Sequence, residues 1–146
     1  MDWLVDTGVL LRCFHPVDSL YEEIKSALKK LRSQGDGLFI TVQNAGEFWN
    51  ASTRPVSARG GYGQGVAVTE RRLRFIESYT EVLPIDLETY EAWKGLVSSL
   101  SITGVNVHDA RLVASMKVNS LTHLITLDGG FGKYVGIKAV RPSELI

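Results

Sequence analysis

Apolar positions along the chain alternate between the spacing of strands and that of helices. Trp3–Val5 form a short unbroken apolar run that predicts a buried strand, entering Asp6 and a turn at Gly8. Leu20, Ile24, Ala27, Leu28 and Leu31 recur at helical spacing, with Glu22, Glu23, Lys29 and Lys30 on the other faces. Gly35-Asp36-Gly37 stops that helix, and "LFIT" predicts a second strand. In "VQNAGEFWNAS", Val42, Ala45 and Trp49 fall at i, i+3 and i+7 and predict the apolar stripe of a helix; Gln43, Glu47 and Asn50 share another face. Arg54-Pro55 closes this helix, because a residue before proline is driven out of the helical region.

"SARGGYGQG" is expected to be flexible, with too few apolar residues for a core element. Val66 to Tyr79 predict an arginine-rich helix and "EVLPI" a strand. Asp86 is a good N-cap for a helix carrying Tyr90, Trp93, Val97 and Leu100, which Gly104 ends. "VHDARLVASMKV" predicts a helix with Val107, Ala110, Ala114 and Val118 on one side, and "HLITL" and "IKAV" the last two strands. No repeat, low-complexity tract or linker interrupts the series, so residues 1–146 are expected to form a single domain. Strands alternating with helices imply an α/β fold with a mainly parallel central sheet flanked by helices. In such sheets ligands bind outside the carboxyl ends of the strands.

Composition narrows the classes without choosing among them. Hydrophobic residues make up 45% and charged residues 22%, ordinary values for a globular protein. Lys plus Arg total 16 and Asp plus Glu total 16, so a polyanionic partner has to be met by a local basic patch. Cys13 is the only cysteine, which excludes an internal disulfide and a multi-cysteine zinc site. The start "MDWLVD" has no basic leader, and no apolar run approaches the ~18 residues of a membrane span, so a cytoplasmic protein is expected.

Most acidic residues fall on predicted helix surfaces, in turns or at caps. Four share another placement: Asp6 and Asp128 end apolar strands, and Glu47 and Asp109 sit in the first turns of helices. Taken singly, each has a plain structural reading: Asp6 as a cap, Asp128 as a turn residue, Glu47 as a solvated helix residue, Asp109 as a charge at a helix N-terminus. In a parallel sheet, strand ends and the starts of following helices lie on one edge, where all four would converge. Two carboxylates ~4 Å apart repel by about 4 kcal/mol at a surface dielectric, so a cation is the natural resolution. All-oxygen ligation suits Mg²⁺ or Mn²⁺ rather than zinc, and such an ion activates water and stabilises charge on a phosphoryl oxygen.

The four motifs in order, "LVDTGVLL", "TVQNAGEFWNASTRP", "VNVHDARLVASM" and "LITLDGGFGKY", resemble those of the PIN-domain family, and within it the VapC-type toxins of toxin–antitoxin pairs. The resemblance runs nearly end to end, with the stretch from Arg54 to Arg74 the least family-like. It implies a Mg²⁺- or Mn²⁺-dependent endoribonuclease, a homodimer, inhibited by a partner antitoxin. It also implies Asp6 and Asp109 as metal ligands, Glu47 as a ligand or a residue orienting its water, and Asp128 in the most variable role. Thr7 and Thr126 are candidates to hydrogen-bond these carboxylates.

Other readings leave different traces. A haloacid-dehalogenase-type phosphatase needs a second aspartate two residues after the first, where Gly8 stands. A phospho-receiver domain needs adjacent acidic residues after the first strand and a lysine ending a late one; only Asp6 and Asp128 occupy those places. A catalytically silent PIN scaffold binding RNA or protein is disfavoured by all four acidic positions being filled. Arg54, Arg59, Arg71, Arg72 and Arg74 cluster around Tyr62, as a phosphate contact or as a solvated face. His15, His108 and His123 lack zinc spacing; His108, beside Asp109, is a candidate to orient a ligand or a phosphate.

Overall fold

Trp3, Leu4 and Val5 are all buried, and only a strand covered on both faces buries consecutive side chains. In the computed structural model, which describes residues Met1–Ile146, they belong to the middle strand of a five-stranded sheet. The strands are β1 (Asp2–Val5), β2 (Gly37–Ile40), β3 (Glu81–Val82), β4 (His123–Ile125) and β5 (Lys138–Val140). Their order is β3-β2-β1-β4-β5 and every pairing is parallel. The helices are α1 (Thr7–Arg12), α2 (Tyr21–Ser33), α3 (Val42–Thr53), α4 (Val66–Glu77), α5 (Leu87–Ser99) and α6 (Asn106–Val118), and a 3-10 turn closes the chain at Pro142–Leu145.

Side-chain alternation along the strands divides the core in two. Trp3, Val5, Leu38, Ile40, Ile125 and Val140 pack with Val9, Leu10, Ile24, Leu28, Phe48 and Ile76 from α1 to α4. Leu4 and Leu124 point the other way, onto Ala110, Leu112, Val113 and Met116 of α6, with Trp93, Leu96 and Val97 of α5 at the margin. The chain builds outward from β1 through β2 to β3, then returns to the far side of β1 as β4 and β5. The order therefore reverses between β1 and β4, and a crevice outside their carboxyl ends is the place where such sheets bind ligands. No helix is long and apolar enough to cross a membrane.

Several local expectations are corrected. Gly8 lies inside α1 rather than in a turn, because Asp6 caps a helix that starts one residue after the strand. The buried face of α3 is Asn44, Phe48, Ala51 and Ser52, while Val42 is 46% exposed. Counting only apolar residues missed it, because the polar Asn44 is drawn inward by hydrogen bonds. The strand in "EVLPI" is only Glu81–Val82, at the sheet edge. On α6 the buried residues run continuously from Leu112 to Met116, since the helix is enclosed between the sheet and α5; Val107 and Val118 are only half-buried.

The stretch 57–65 is not a free loop. Tyr62, Gly63 and Gln64 donate backbone hydrogen bonds to the Ala51, Arg54 and Ser52 carbonyls at 3.0, 2.7 and 2.8 Å, which ties the segment to the end of α3. Gly60 and Gly63 adopt positive φ of 74° and 65°, which L side chains resist. A Cβ on Gly61 would stand 2.1 Å from the Pro55 carbonyl oxygen.

The two candidate faces of α3 make opposite claims on stability. Phe48→Ala is expected to lower unfolding free energy by about 3–5 kcal/mol in urea titration. Val42→Ala should change it by less than about 1 kcal/mol. Comparable losses in both would return the α3 core to the Val42 side.

Candidate active site

Each candidate carboxylate is fixed by the element that precedes or carries it. Asp6 follows β1 directly, and its Oδ1 accepts the Thr7 N–H at 2.8 Å as the N-cap of α1. Its Oδ2 accepts the Thr126 hydroxyl, just past β4, at 2.6 Å. The same hydroxyl oxygen accepts the Asp128 N–H at 3.0 Å, so one threonine ties the ends of β1 and β4 together. Asp128 Oδ1 in turn accepts the Gly130 N–H at 2.9 Å, a turn in which its carboxylate shapes the backbone.

Glu47, on the second turn of α3, is held on both oxygens. Thr7 Oγ1 donates to Oε2 at 2.9 Å, and Gln43 Nε2 donates to Oε1 at 2.7 Å. Gln43 Nε2 also donates to the His108 carbonyl at 2.9 Å, joining α3 to the start of α6 beside Asp109. Beneath them lies Asn44, fully buried. Its Nδ2 donates to Thr7 Oγ1 at 3.1 Å, and its Oδ1 accepts both the N–H and the hydroxyl of Thr41 at 2.9 Å. The amide thus completes the capping box of α3 and orients the threonine that reaches Glu47.

Asp6 and Asp109 feel the charge of the other candidate carboxylates. Burial raises the Asp6 pKa above its ordinary value, the Thr126 and Thr7 hydrogen bonds lower it, and the charges of Glu47 and Asp128 raise it again. Burial also raises Asp109, reinforced by the charges of Asp128, Asp6 and Glu47 and opposed only by Lys133. The molecule's two ion pairs, Met1–Asp36 and Arg12–Asp18, include none of the four. The carboxylates are nevertheless not drawn to one coordination point: no group of three or more His, Cys, Asp or Glu side chains stands ready to hold a metal ion. Hydrogen bonds hold Asp6, Glu47 and Asp128 in their present positions, and repulsion opposes closer approach.

Several residues here were given no role by the sequence reading. Asn44 and Gln43 carry the network around Glu47, and only the Thr41-x-x-Asn44 spacing, a capping-box pattern, hinted at the first. Lys133 supplies the one positive charge that reaches Asp109. Tyr134 is 2% exposed with its hydroxyl buried and unpartnered, and burial followed by the Asp109 charge raises its pKa. His108 joins the network through its carbonyl, while its side chain is exposed.

Comparison with known proteins adds family and fold. The family model for the PIN domain matches residues 3–137. No curated protein matches the chain. Among solved structures, VapBC2 from Rickettsia felis bound to a promoter DNA fragment is similar at 12% identity and a TM-score of 0.73, over 97% of this chain and 98% of that one. A toxin–antitoxin complex from Klebsiella pneumoniae is similar at 22% identity and a TM-score of 0.63, over 95% and 96%. Mycobacterium tuberculosis VapC20, a Sarcin-Ricin loop cleaving toxin, is similar at 20% identity and a TM-score of 0.61, over 93% and 98%. At these identities the likeness is one of fold.

The raised Asp109 pKa fixes a direction for stability. A carboxyl whose folded pKa lies above its unfolded value favours the folded state when protonated, and that advantage is lost as pH rises through the folded value. In metal-free buffer at pH 7, Asp109→Asn should therefore unfold at a higher temperature than the parent. The gap should close as pH falls below the ordinary value of 3.8, where the parent carboxyl is neutral in both states. A variant that melts no higher than the parent at pH 7 would remove repulsion as the governing term.

Proposed function

Since the chain belongs to the PIN domain family, we propose that it is a metal-dependent endoribonuclease and the toxin of a type II toxin–antitoxin pair. The observation that carries the reading is the charge balance at the ends of β1 and β4: Glu47 and Asp128 act on both Asp6 and Asp109, with Lys133 the one cation opposing them at Asp109. The donor set is entirely oxygen, which fits Mg²⁺ or Mn²⁺. Asp6 and Asp109 would hold the ion, with Glu47 and Asp128 completing the acidic set. When bound, such an ion supplies a polarised water and stabilises charge on the scissile phosphate.

The chain's own residues do the positioning. Thr126 and the Thr7 N–H hold one oxygen each of Asp6, which fixes its carboxylate plane relative to β4. Thr7 and Gln43 hold Glu47 from two sides, and Asn44 keeps the Thr7 hydroxyl pointing outward. Such supports keep acidic side chains in place despite their repulsion, the usual role of the residues behind a metal ligand. A silent scaffold that binds RNA or protein without cutting is the alternative.

An antitoxin partner follows from the same reading. An acidic cleft that accepts a cation also accepts a guanidinium, which bridges carboxylates through its planar fork. An arginine of the antitoxin near Asp6 and Asp109 would compete with the ion. A homodimer is the assembly proposed for the free toxin.

Cleavage of RNA should require Mg²⁺ or Mn²⁺ and stop with EDTA. Asp6→Asn and Asp109→Asn should each reduce it by about a hundredfold or more with an unchanged circular dichroism spectrum, judged from the cost of removing a single essential charge-stabilising group. Full cleavage by either variant at unchanged metal content would refute the assignment, and an inert parent with metal present would favour the scaffold.

Inhibition is tested separately. Removing the bridging arginine from the partner encoded beside this chain should weaken both binding and inhibition, more at low salt than at high salt. Unchanged affinity and inhibition would reject this mode of control.

A further inference from the structure

The arginine-rich stretch has no place in the carboxylate network, yet its charge is strongly one-sided in a chain with net charge zero. Arg54, Arg59, Arg71, Arg72 and Arg74 face only Glu70 within residues 54–74, and none of the five is ion-paired. Arg54 and Arg72 are half-buried. The Arg54 Nε is buried without a hydrogen-bond partner, an unfilled donor of the kind folded proteins usually satisfy. The Arg72 guanidinium lies over the Phe14 ring, 5.4 Å from its centroid.

An aromatic pair lies in the field of Arg72. The His15 and Tyr62 rings stack at 3.9 Å with 12° between their planes. The docked 57–65 segment puts Tyr62 there, through its backbone hydrogen bond to Ala51. Burial, then the positive charge of Arg72 and Arg12, hold the His15 pKa below its ordinary value, with Asp18 pulling the other way. Positive charge therefore converges on a ring stack.

Helices α1 and α3 link this surface to the candidate active site. Arg12 folds back along α1, its Nη1 donating to the Gly8 carbonyl at 2.9 Å, two residues from Asp6. Helix α3 carries Glu47 on its second turn and ends at Arg54, about 10 Å further along at 1.5 Å per residue. A polyanion approaching four carboxylates is repelled there, and needs cations beside the cleft to be held.

We propose that Arg54, Arg72 and the His15–Tyr62 stack bind single-stranded RNA beside the carboxylate cleft, the guanidiniums taking phosphates and the ring pair taking an unstacked base. The inference rests on the endoribonuclease reading and adds where the strand lies. Guanidiniums alone would serve an acidic peptide equally well; their pairing with a stacked aromatic surface is what selects nucleic acid, because every base offers a π-face.

The test is fluorescence anisotropy of a short fluorescein-labelled oligouridylate, titrated across potassium chloride with the full chain carrying Asp6→Asn so that binding is read without cleavage. Arg72→Gln and Arg54→Gln should each weaken binding and flatten the slope of log affinity against log salt by about 0.7. Lysine at the same positions should keep the slope. Tyr62→Leu should weaken binding about tenfold with the slope unchanged. Arg72→Gln leaves the end of α3 untouched, so it remains readable even where Arg54→Gln fails to fold.

Unchanged affinity and slope in a folded Arg72→Gln chain overturns the proposal and leaves the nuclease reading standing. Loss of polyglutamate binding with RNA binding intact overturns it in favour of an acidic protein. No binding of oligouridylate at low salt also overturns it; cleavage of RNA by the parent chain then decides whether the nuclease reading falls with it.

Discussion

Like charges gathered on one edge of a sheet repel, and the region around β1 and β4 is organised by that constraint. A parallel sheet brings strand ends and helix starts to the same edge, so it supplies positions for Asp6, Glu47, Asp109 and Asp128 but no remedy for their repulsion. The remedy is local. Thr126 reaches from β4 to Asp6, Thr7 from α1 to Glu47, and Gln43 from α3 to both Glu47 and the start of α6. Apart from the Gln43–Glu47 bond inside α3, these contacts cross between elements, so they join the sheet and helices while holding the carboxylates. Asn44 is the least replaceable member, because its buried amide serves a helix cap and the Thr7 hydroxyl together. Truncating it would leave several buried polar groups without partners.

The fold was legible because its central strands, β1 and β4, are covered on both faces. Trp3–Val5 and Leu124–Ile125 are apolar runs whose burial needs two layers of helices, and the alternation of strands and helices implies a parallel sheet. Legibility failed where polar or special backbone chemistry decided the packing. Asn44 took an inward position that an apolar count gave to its neighbours. Gly60, Gly61 and Gly63 looked like flexibility, but their missing side chains let the backbone close onto the end of α3. The short β3 was overcalled because at the sheet edge only two residues find partners.

The candidate site was legible as positions but not as interactions. The placement of the four acidic residues after strands and in early helix turns could be read from the sequence once the sheet was taken as parallel. Their hydrogen-bond supports could not, since the Thr126–Asp6 and Thr7–Glu47 contacts join residues 120 and 40 positions apart. Equal numbers of acidic and basic residues hid a second feature. The chain is neutral as a sum, with negative charge concentrated at the sheet edge and positive charge along residues 54–74. A neutral total and a strongly polarised surface are compatible, and only the second bears on how a charged strand is oriented.

The position of β1 has a consequence for synthesis. β1 is made well before the β4 it pairs with, Trp3 opposite His123, so its residues wait for a strand far along the chain. Sheets closed by such distant pairings form slowly, because a long loop has to close before the pairing rewards it. Until Thr126 and Asp128 have emerged, the nascent chain has neither the hydroxyl that holds Asp6 nor the fourth carboxylate. Translation order thus leaves Asp6 without its Thr126 partner for 120 residues of synthesis.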